Sequence, residues 1–155
     1  MPSRSSRRAR PNREAVLDFT DAEPFLRRHH RMVVTTHRPD GHAHASIVLG
    51  GQVDDCVAFV VRDDTVKLQH LRRDPRCTAL AVTADWSAWV AVEGTATIQD
   101  WDGTPAEQMR QRLRAVFKAA GGTHGDWDEF DRVMREERRA IVLVSPQRVY
   151  GLRSR

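Results

Sequence analysis

Residues 60–76 read Val60-Val61-Arg62-Asp63-Asp64-Thr65-Val66-Lys67-Leu68-Gln69-His70-Leu71-Arg72-Arg73-Asp74-Pro75-Arg76. The stretch joins a hydrophobic strand to a short helix, because residues 63–65 are good helix-capping residues and Asp74-Pro75 ends the segment. Lys67 therefore falls in the first helical turn, where free backbone N–H groups and the helix dipole favour an anion. Two interpretations stay open: a phosphate-binding helix start, or an ordinary solvated basic helix.

The composition of the 155-residue chain indicates one soluble domain with a small core. Hydrophobic residues make up 40%, and no apolar run approaches the ~20 residues that a membrane span needs. The N-terminus is polar and lacks the apolar segment of a secretory signal. Cys56 and Cys77 fall in predicted strands without a CxxC spacing. We therefore expect buried, reduced thiols in a cytoplasmic protein.

The formal net charge of +4 comes from the N-terminus, because residues 1–13 hold five arginines and no acid. The rest of the chain has 20 basic and 21 acidic residues and is close to neutral. We therefore expect a disordered Ser/Arg-rich arm over residues 1–13 and a folded domain over residues 14–155. Such an arm could contact nucleic acid electrostatically, but it is more often a solvated tail, and nucleic acid is not the expected partner.

Short strands and helices alternate after the arm. Strands are expected over residues 32–36, 42–53, 56–61, 77–83, 88–98, 140–144 and 149–150, with a bulge near Gly50-Gly51 and breaks at Gly94 and Pro146. Besides the helix with Lys67, helices are expected from Thr20 through Arg31, from Thr104 to about Ala120 and from Asp126 to about Arg139. Five or six antiparallel strands with hairpin-length links predict an α+β fold, a small barrel with flanking helices.

The motifs of common enzymes are absent from the sequence. There is no G-x-S-x-G, G-x-G-x-x-G, Walker loop or H-E-x-x-H. His42 and His44 share a strand face, but no cysteine or carboxylate stands at ligand spacing, so no metal site is expected. No catalytic residue can be assigned from spacing. A chain with an anion-binding helix start and no acid–base machinery is suited to hold a cofactor that carries the reaction.

A series of short motifs occurs in order between residues 25 and 152. These are Val33–Thr36 with Pro39-Asp40-Gly41, Ser46, Lys67 with Leu71–Arg76, Trp86-Ser87 before Val92–Ala96, His124–Asp128 and Val149–Leu152. In this order the motifs resemble those of the flavin/deazaflavin oxidoreductases with a split β-barrel fold, the pyridoxamine-phosphate-oxidase-like superfamily. Within it, the chain most resembles the actinobacterial branch that binds coenzyme F420.

The resemblance implies a homodimer with cofactor grooves at its interface and F420, or alternatively FMN, as cofactor. Lys67 would bind the cofactor phosphate or the acidic tail beyond it. The implied lining comprises Val60, Val61 and Arg62 along the ribityl chain, Thr35, Thr36, Ser46 and Val48 beside the tricyclic ring, and Trp86 and Trp89 from the partner subunit. For both tryptophans, core packing is the alternative.

Two positions depart from the family pattern. Thr65 stands where the family usually has an arginine, and His70 stands where it usually has an asparagine. A missing arginine removes a charge-assisted phosphate contact worth about 1.5–3 kcal/mol, for which Arg62 or Arg73 could compensate. These departures weaken the choice of F420 over FMN.

The implied function is an F420-dependent reductase. It would transfer hydride from reduced deazaflavin to an electron-poor C=C or C=N of a small organic substrate, such as a natural-product intermediate. Two alternatives stay open: a protein that binds F420 or FMN without turnover, and an FMN-dependent oxidase. Family members reduce enones, tetrapyrroles and aromatic polyketide intermediates, and the sequence does not choose among them.

Overall fold

The computed structural model describes residues 14–152, so the predicted arm of residues 1–13 lies outside the described residues. The strands are β1 (Ala15–Leu17), β2 (Arg31–His37), β3 (Ala43–Val53), β4 (Cys56–Arg62), β5 (Arg76–Val82), β6 (Trp89–Gln99) and β7 (Arg139–Leu152). The helices are α1 (Phe19–Leu26), α2 (Val66–Arg73), α3 (Ala106–Ala119) and α4 (Trp127–Glu136).

The seven described strands form one antiparallel sheet in the order β1-β7-β4-β3-β2-β5-β6. Because β6 also pairs with β7, the strands β2 to β7 close into a six-stranded barrel, and β1 extends it by pairing with β7. Closure removes most unpaired sheet edges. The structure therefore confirms the predicted α+β antiparallel split barrel with flanking helices.

Two hydrophobic cores follow from the alternation of side chains along β4. Val57 and Phe59 point into the barrel and are fully buried with Val34, Val92 and Val142. Ala58 points outward, where α3 and α4 cover the barrel with Met109, Leu113 and Phe130. A strand with apolar residues on both faces thus has one face inside the barrel and the other beneath a helix pair.

The barrel splits where β3 changes partner. Residues 43–49 of β3 pair with β2, whereas residues 50–53 pair with β4. The last part of β4, residues 60–62, pairs with β7 alone. Helix α2 follows β4 directly and inserts Leu68 and Leu71 into the barrel core. The split therefore lies beside the start of α2.

The glycine positions differ from the prediction. The register shift lies at Glu93/Gly94 in β6, opposite Pro146, and not at Gly50-Gly51. Since a bulge tolerates a missing N–H group, β7 continues through Pro146 as one strand, and the predicted break is wrong. Gly51 instead permits a close approach, because a Cβ there would lie 2.1 Å from the carbonyl oxygen of Ala119.

Several element boundaries also differ. Asp18, not Thr20, caps α1, and the Asp18 N–H group donates to the Asp21 carboxylate over 3.2 Å. Helix α1 ends at Leu26, so the basic run does not continue it, and Arg31 begins β2. Helix α3 begins after Pro105, α4 ends at Glu136, and Arg139 begins β7. Strand β1 was not predicted.

The two cysteines are both free and lie in strands, as expected. Cys77 is buried, and burial raises the pKa of its thiol to about 12. Cys56 is only partly buried, so the expectation that both thiols are buried is wrong for Cys56. Among the described residues, no helix is long and apolar enough to cross a membrane.

One end of the barrel interior is polar. Thr36 and His44 are cross-strand partners on the inward face of β2 and β3, and Thr36 is fully buried. The Thr36 Oγ1 and His70 Nδ1 atoms lie 2.9 Å apart in a hydrogen bond. The rings of His44 and His70 meet edge to face at 5.1 Å. Within residues 14–152, the buried atoms His44 Nδ1 and Ser46 Oγ have no hydrogen-bond partner.

His70 is held neutral by this environment. Burial lowers the pKa of His70 below its usual value, and electrostatic repulsion from the nearby His44, Arg73, Arg38 and His37 lowers this pKa further. A neutral imidazole can form an ordinary hydrogen bond with the Thr36 hydroxyl. A buried imidazolium would instead lie without an anionic partner beside other cations.

We expect His70 to make the protein lose stability as the pH falls. Above about pH 6.5 neither state binds the proton, but below it the unfolded chain takes up a proton that folded His70 resists. The unfolding free energy should therefore fall between about pH 7 and pH 5. The variant His70→Asn retains a hydrogen-bonding group without titrating, so its urea-unfolding free energy should fall less over this range.

The matched control is His42→Asn, which removes a histidine whose side chain is 81% exposed. Its unfolding free energy should follow the pH dependence of the unmodified protein. An equally steep pH dependence in His70→Asn would contradict the assignment to His70.

Candidate functional site

Lys67 lies at an uncapped helix start beside the split. Thr65 occupies the N-cap position, but its Oγ1 donates to the carbonyl oxygen of Arg62 over 3.0 Å instead of accepting from the helix. No acidic residue lies in the first turn of α2. Within residues 14–152, the partly buried Lys67 ammonium has no hydrogen bond or ion pair. Free N–H groups and a free cation together are suited to an anion such as phosphate.

The two arginines that could replace the missing phosphate contact already have partners. Arg62 pairs with Asp64 over 3.3 Å. The Arg73 guanidinium donates to the carbonyl oxygen of His37. Because all these side chains are at least partly exposed, such contacts are weak and exchangeable. Lys67 is thus the cation at the start of α2 that is free to bind without losing a partner.

Two of the cavities formed by residues 14–152 adjoin each other on the outer face of the barrel. The groove called here the helical groove has a volume of about 360 Å³ and lies between β3, β4 and the helix pair α3–α4. It is lined by Leu49, Val60, Val116, Phe117, Ala120, Gly122, Phe130, Met134 and Arg139. All but Arg139 are apolar or glycine, and the Arg139 guanidinium contacts Glu137 at 2.7 Å.

The groove called here the loop groove is larger, about 520 Å³. It lies between the α1–β2 loop and the β5–β6 hairpin, with β2 and β3 as its floor. Leu49, whose side chain is 62% exposed, borders both grooves. The outer face therefore offers two adjacent sites of ligand size that meet at one leucine.

The predicted ring-binding and ribityl-binding residues divide between the two faces of the barrel wall. Those that face the interior are Thr36, Ser46, Val48 and Val61. Those that face outward are Thr35, Val60 and Arg62. A ligand on the outer face can contact the inward residues only through their backbone. Val60 is the predicted residue that lines the helical groove.

The two tryptophans occupy different environments. Trp86 is 75% exposed and lies on the rim of the loop groove of its own chain, so it is not a core residue. Trp89 is partly buried and contacts Tyr150 edge to face, with ring centroids 5.8 Å apart. Core packing, the alternative to a role at the cofactor, is thus wrong for Trp86 and describes part of the surroundings of Trp89.

Leu49 and the helical lining of its groove were not predicted from the sequence. The available signal was the run Ile47-Val48-Leu49, which places apolar residues on both faces of β3. In a sheet with one solvated face this pattern is unexpected. The run therefore indicates that the outer face of β3 is also a contact surface.

An apolar row crosses the outer face of the sheet. Six residues on six neighbouring strands stand in register: Ile47, Val33, Leu80, Ala91, Tyr150 and Val16. Its two ends, Ile47 and Val16, are 77% and 76% exposed. Exposed apolar surface of this kind marks a contact site.

The lining of the two grooves contains few metal-ligating or acid–base side chains. Within residues 14–152, no group of three or more histidine, cysteine or acidic side chains is arranged to hold a metal ion. The outer grooves contain no pair of carboxylates and no nucleophile–base pair among their lining residues. Their shape and apolar character are suited to binding and positioning.

Comparison with solved structures gives the same fold at low sequence identity. A conserved hypothetical protein, Rv2991 from Mycobacterium tuberculosis, aligns with a TM-score of 0.70 and 20% identity, over 92% of this chain and 88% of that one. A protein described as F420 reductase aligns with a TM-score of 0.61 and 16% identity, over 82% and 94%. A heme binding protein from Mycobacterium smegmatis aligns with a TM-score of 0.61 and 16% identity, over 88% and 54%.

The family comparison covers nearly all of the described residues. The sequence profile described as Pyridoxamine 5'-phosphate oxidase matches residues 20–153, from the first turn of α1 past the end of β7. The match includes the split, the start of α2 and both grooves. This chain therefore belongs to the pyridoxamine 5'-phosphate oxidase family.

Proposed function

We propose that the protein is an F420-dependent oxidoreductase. It transfers hydride from reduced F420 to an electron-poor C=C or C=N of a small organic substrate and works in the cytoplasm. The observation that carries the proposal is Lys67, a cation at the uncapped start of α2 that has no partner among residues 14–152. The similarity of the fold to a protein described as F420 reductase supports F420 as the cofactor.

The residues of the outer face fit a cofactor with an anionic end and an apolar ring. Lys67 and the first N–H groups of α2 would bind the phosphate. Leu49 and Val60 would contact the apolar part of the cofactor and exclude water from it. When bound, reduced F420 supplies a hydride from a ring carbon as a two-electron donor. The chain contributes position and a dry surface.

Three cofactors are candidates for this site. FMN shares the phosphate and the tricyclic ring, and haem is suggested by the similarity in fold to a heme binding protein. Equilibrium binding of F420, FMN and haem to the purified protein, side by side, separates them. F420 should bind more tightly than the other two.

We expect Lys67→Ala to weaken F420 binding. The loss of a charged hydrogen-bond partner should cost about 1.5–3 kcal/mol, or about tenfold to 150-fold in the dissociation constant, measured by fluorescence titration. The matched control is Arg72→Ala on the same helix, which removes an exposed pair with Asp100 at 3.3 Å and should leave the affinity unchanged. Unchanged affinity in Lys67→Ala would remove the phosphate assignment.

A reductase and a cofactor carrier differ in where the hydride goes. If the protein is a reductase, reduced F420 should be consumed only when an electron-poor unsaturated substrate is present. Deuterium on the reduced ring carbon should then be found on a product carbon by mass spectrometry. Tight F420 binding without turnover over a panel of enones, quinones and polyketide intermediates would favour the alternative, a non-catalytic F420-binding protein.

We also propose that the protein is a homodimer. The two ends of the apolar row, Ile47 and Val16, are exposed hydrophobic residues, and a second copy is the partner that every copy has available. A symmetric contact over the row would place a second wall beside the grooves, as the family resemblance implies for the cofactor site.

The variant Ile47→Glu should convert this dimer into a monomer. A carboxylate at this end of the apolar row would lose water to the second copy without gaining a partner. Sedimentation velocity should give twice the chain mass for the unmodified protein and one chain mass for the variant. Ala115→Glu, at an exposed position of α3, is the control and should remain dimeric. An unmodified protein that is monomeric and still binds one cofactor per chain would contradict the proposal.

A further inference from the structure

The loop groove combines an apolar floor with a cationic rim. Val33, Ile47 and Leu49 form part of the floor, and the rim includes Arg28 of the α1–β2 loop and Arg31, the first residue of β2. The loop also places His29 and His30 along the groove. None of the residues that line this groove is acidic.

Arg28 and Arg31 lack the partners that most other arginines have. On α3 and α4, for example, Arg114 pairs with Asp131 and Arg132 pairs with Glu136. Within residues 14–152, the exposed side chains of Arg28 and Arg31 make no hydrogen bond or ion pair. Their positive charge is therefore available to a ligand in the groove.

Trp86 gives the groove an exposed aromatic wall at a conformational cost. Its φ of 63° lies in the left-handed region, which costs a non-glycine residue about 1–2 kcal/mol. The hairpin is fixed by Asp85, whose carboxylate accepts hydrogen bonds from the Thr83 and Ser87 hydroxyls, both over 2.7 Å. The nearby acid is thus engaged within its own hairpin. A strained, exposed tryptophan beside a groove is unfavourable for the isolated chain, which indicates a role in binding.

The position of the loop groove relates it to the proposed cofactor site. The two grooves meet at Leu49, so a ligand in the loop groove would lie next to a cofactor in the helical groove. A volume of about 520 Å³ is large enough for a small organic molecule. A second copy over the apolar row would close the side of the groove at Ile47.

We infer that the loop groove binds the substrate, and that the substrate is a planar apolar molecule carrying a carboxylate. The ring system stacks on Trp86 over the floor of Ile47 and Leu49, and the carboxylate pairs with Arg28 and Arg31. The assignment as substrate rests on the proposed function, whereas the binding of such a molecule does not.

Calorimetry with three naphthalene probes tests the inference on the purified protein. The probes are 2-naphthoate, 2-naphthylmethanol and 2-naphthylmethylamine, which share one ring system and differ in charge. The affinity for the naphthoate should be at least about tenfold higher than that for the alcohol, and the cationic amine should bind most weakly. Equal affinities for all three, or no naphthoate binding at millimolar concentration, would overturn the inference.

Variants locate the binding. Arg28→Gln with Arg31→Gln should remove the preference for the carboxylate, and Trp86→Ala should weaken the naphthoate and the alcohol alike. Arg112→Gln, which removes an arginine of α3 outside the loop groove, is the control and should keep the naphthoate affinity. Loss of the preference in the control, or its persistence in the double variant, would place the carboxylate elsewhere.

A competition experiment separates the two proposals. Naphthoate should bind with the same affinity when F420 is saturating, and the arginine variants should keep their F420 affinity. Mutual exclusion would assign Arg28 and Arg31 to the acidic tail of the cofactor and overturn the substrate assignment. Naphthoate binding by a protein that fails to bind F420 would contradict the proposed function and leave a carboxylate-binding groove.

Discussion

The close approach of α3 to Gly51 is the constraint on which the outer face depends. No side chain fits there, because a Cβ on Gly51 would meet the carbonyl oxygen of Ala119. The end of α3 therefore rests on the backbone of β3 at the point where this strand exchanges β2 for β4 as its partner. The helical groove opens beside this contact, between β3, β4 and the helix pair α3–α4.

Contacts with the barrel interior hold α2, the helix that carries Lys67. Leu68 and Leu71 anchor the helix in the barrel core, and the hydrogen bond between His70 and Thr36 fixes its rotation. A cation on a fixed helix loses little conformational freedom when it binds an anion, which is how a binding site is preorganised. The polar end of the barrel interior is thus linked to the helix that carries Lys67.

The fold could be predicted from the sequence because its signals are local. The apolar run of β4 and the capping residues before Lys67 specify a strand followed by a helix. The errors came from pairings between distant residues: Pro146 is compatible with a continuous strand only because Gly94 lies opposite it in a bulge. Strand β1 is three residues long and gains its structure from β7, so its own sequence carries little signal.

The candidate site was less predictable, since it depends on which cations lack partners. The sequence shows Arg28, Arg31, Arg62 and Arg73 as equivalent basic residues. In the structure Arg62 contacts Asp64 and Arg73 contacts a backbone carbonyl, whereas Arg28 and Arg31 have no partner within residues 14–152.

Three of the cations without a partner within residues 14–152 lie beside the two grooves, in two separate places. Lys67 lies beside the split, and Arg28 and Arg31 lie beyond Leu49 on the rim of the loop groove. An exposed ion pair contributes little stability, so leaving these residues unpaired costs the fold little. For a ligand the difference is larger, because a paired arginine must first give up its partner. In the proposals made above, Lys67 binds the phosphate of the cofactor and the two arginines bind the carboxylate of the substrate, on either side of Leu49.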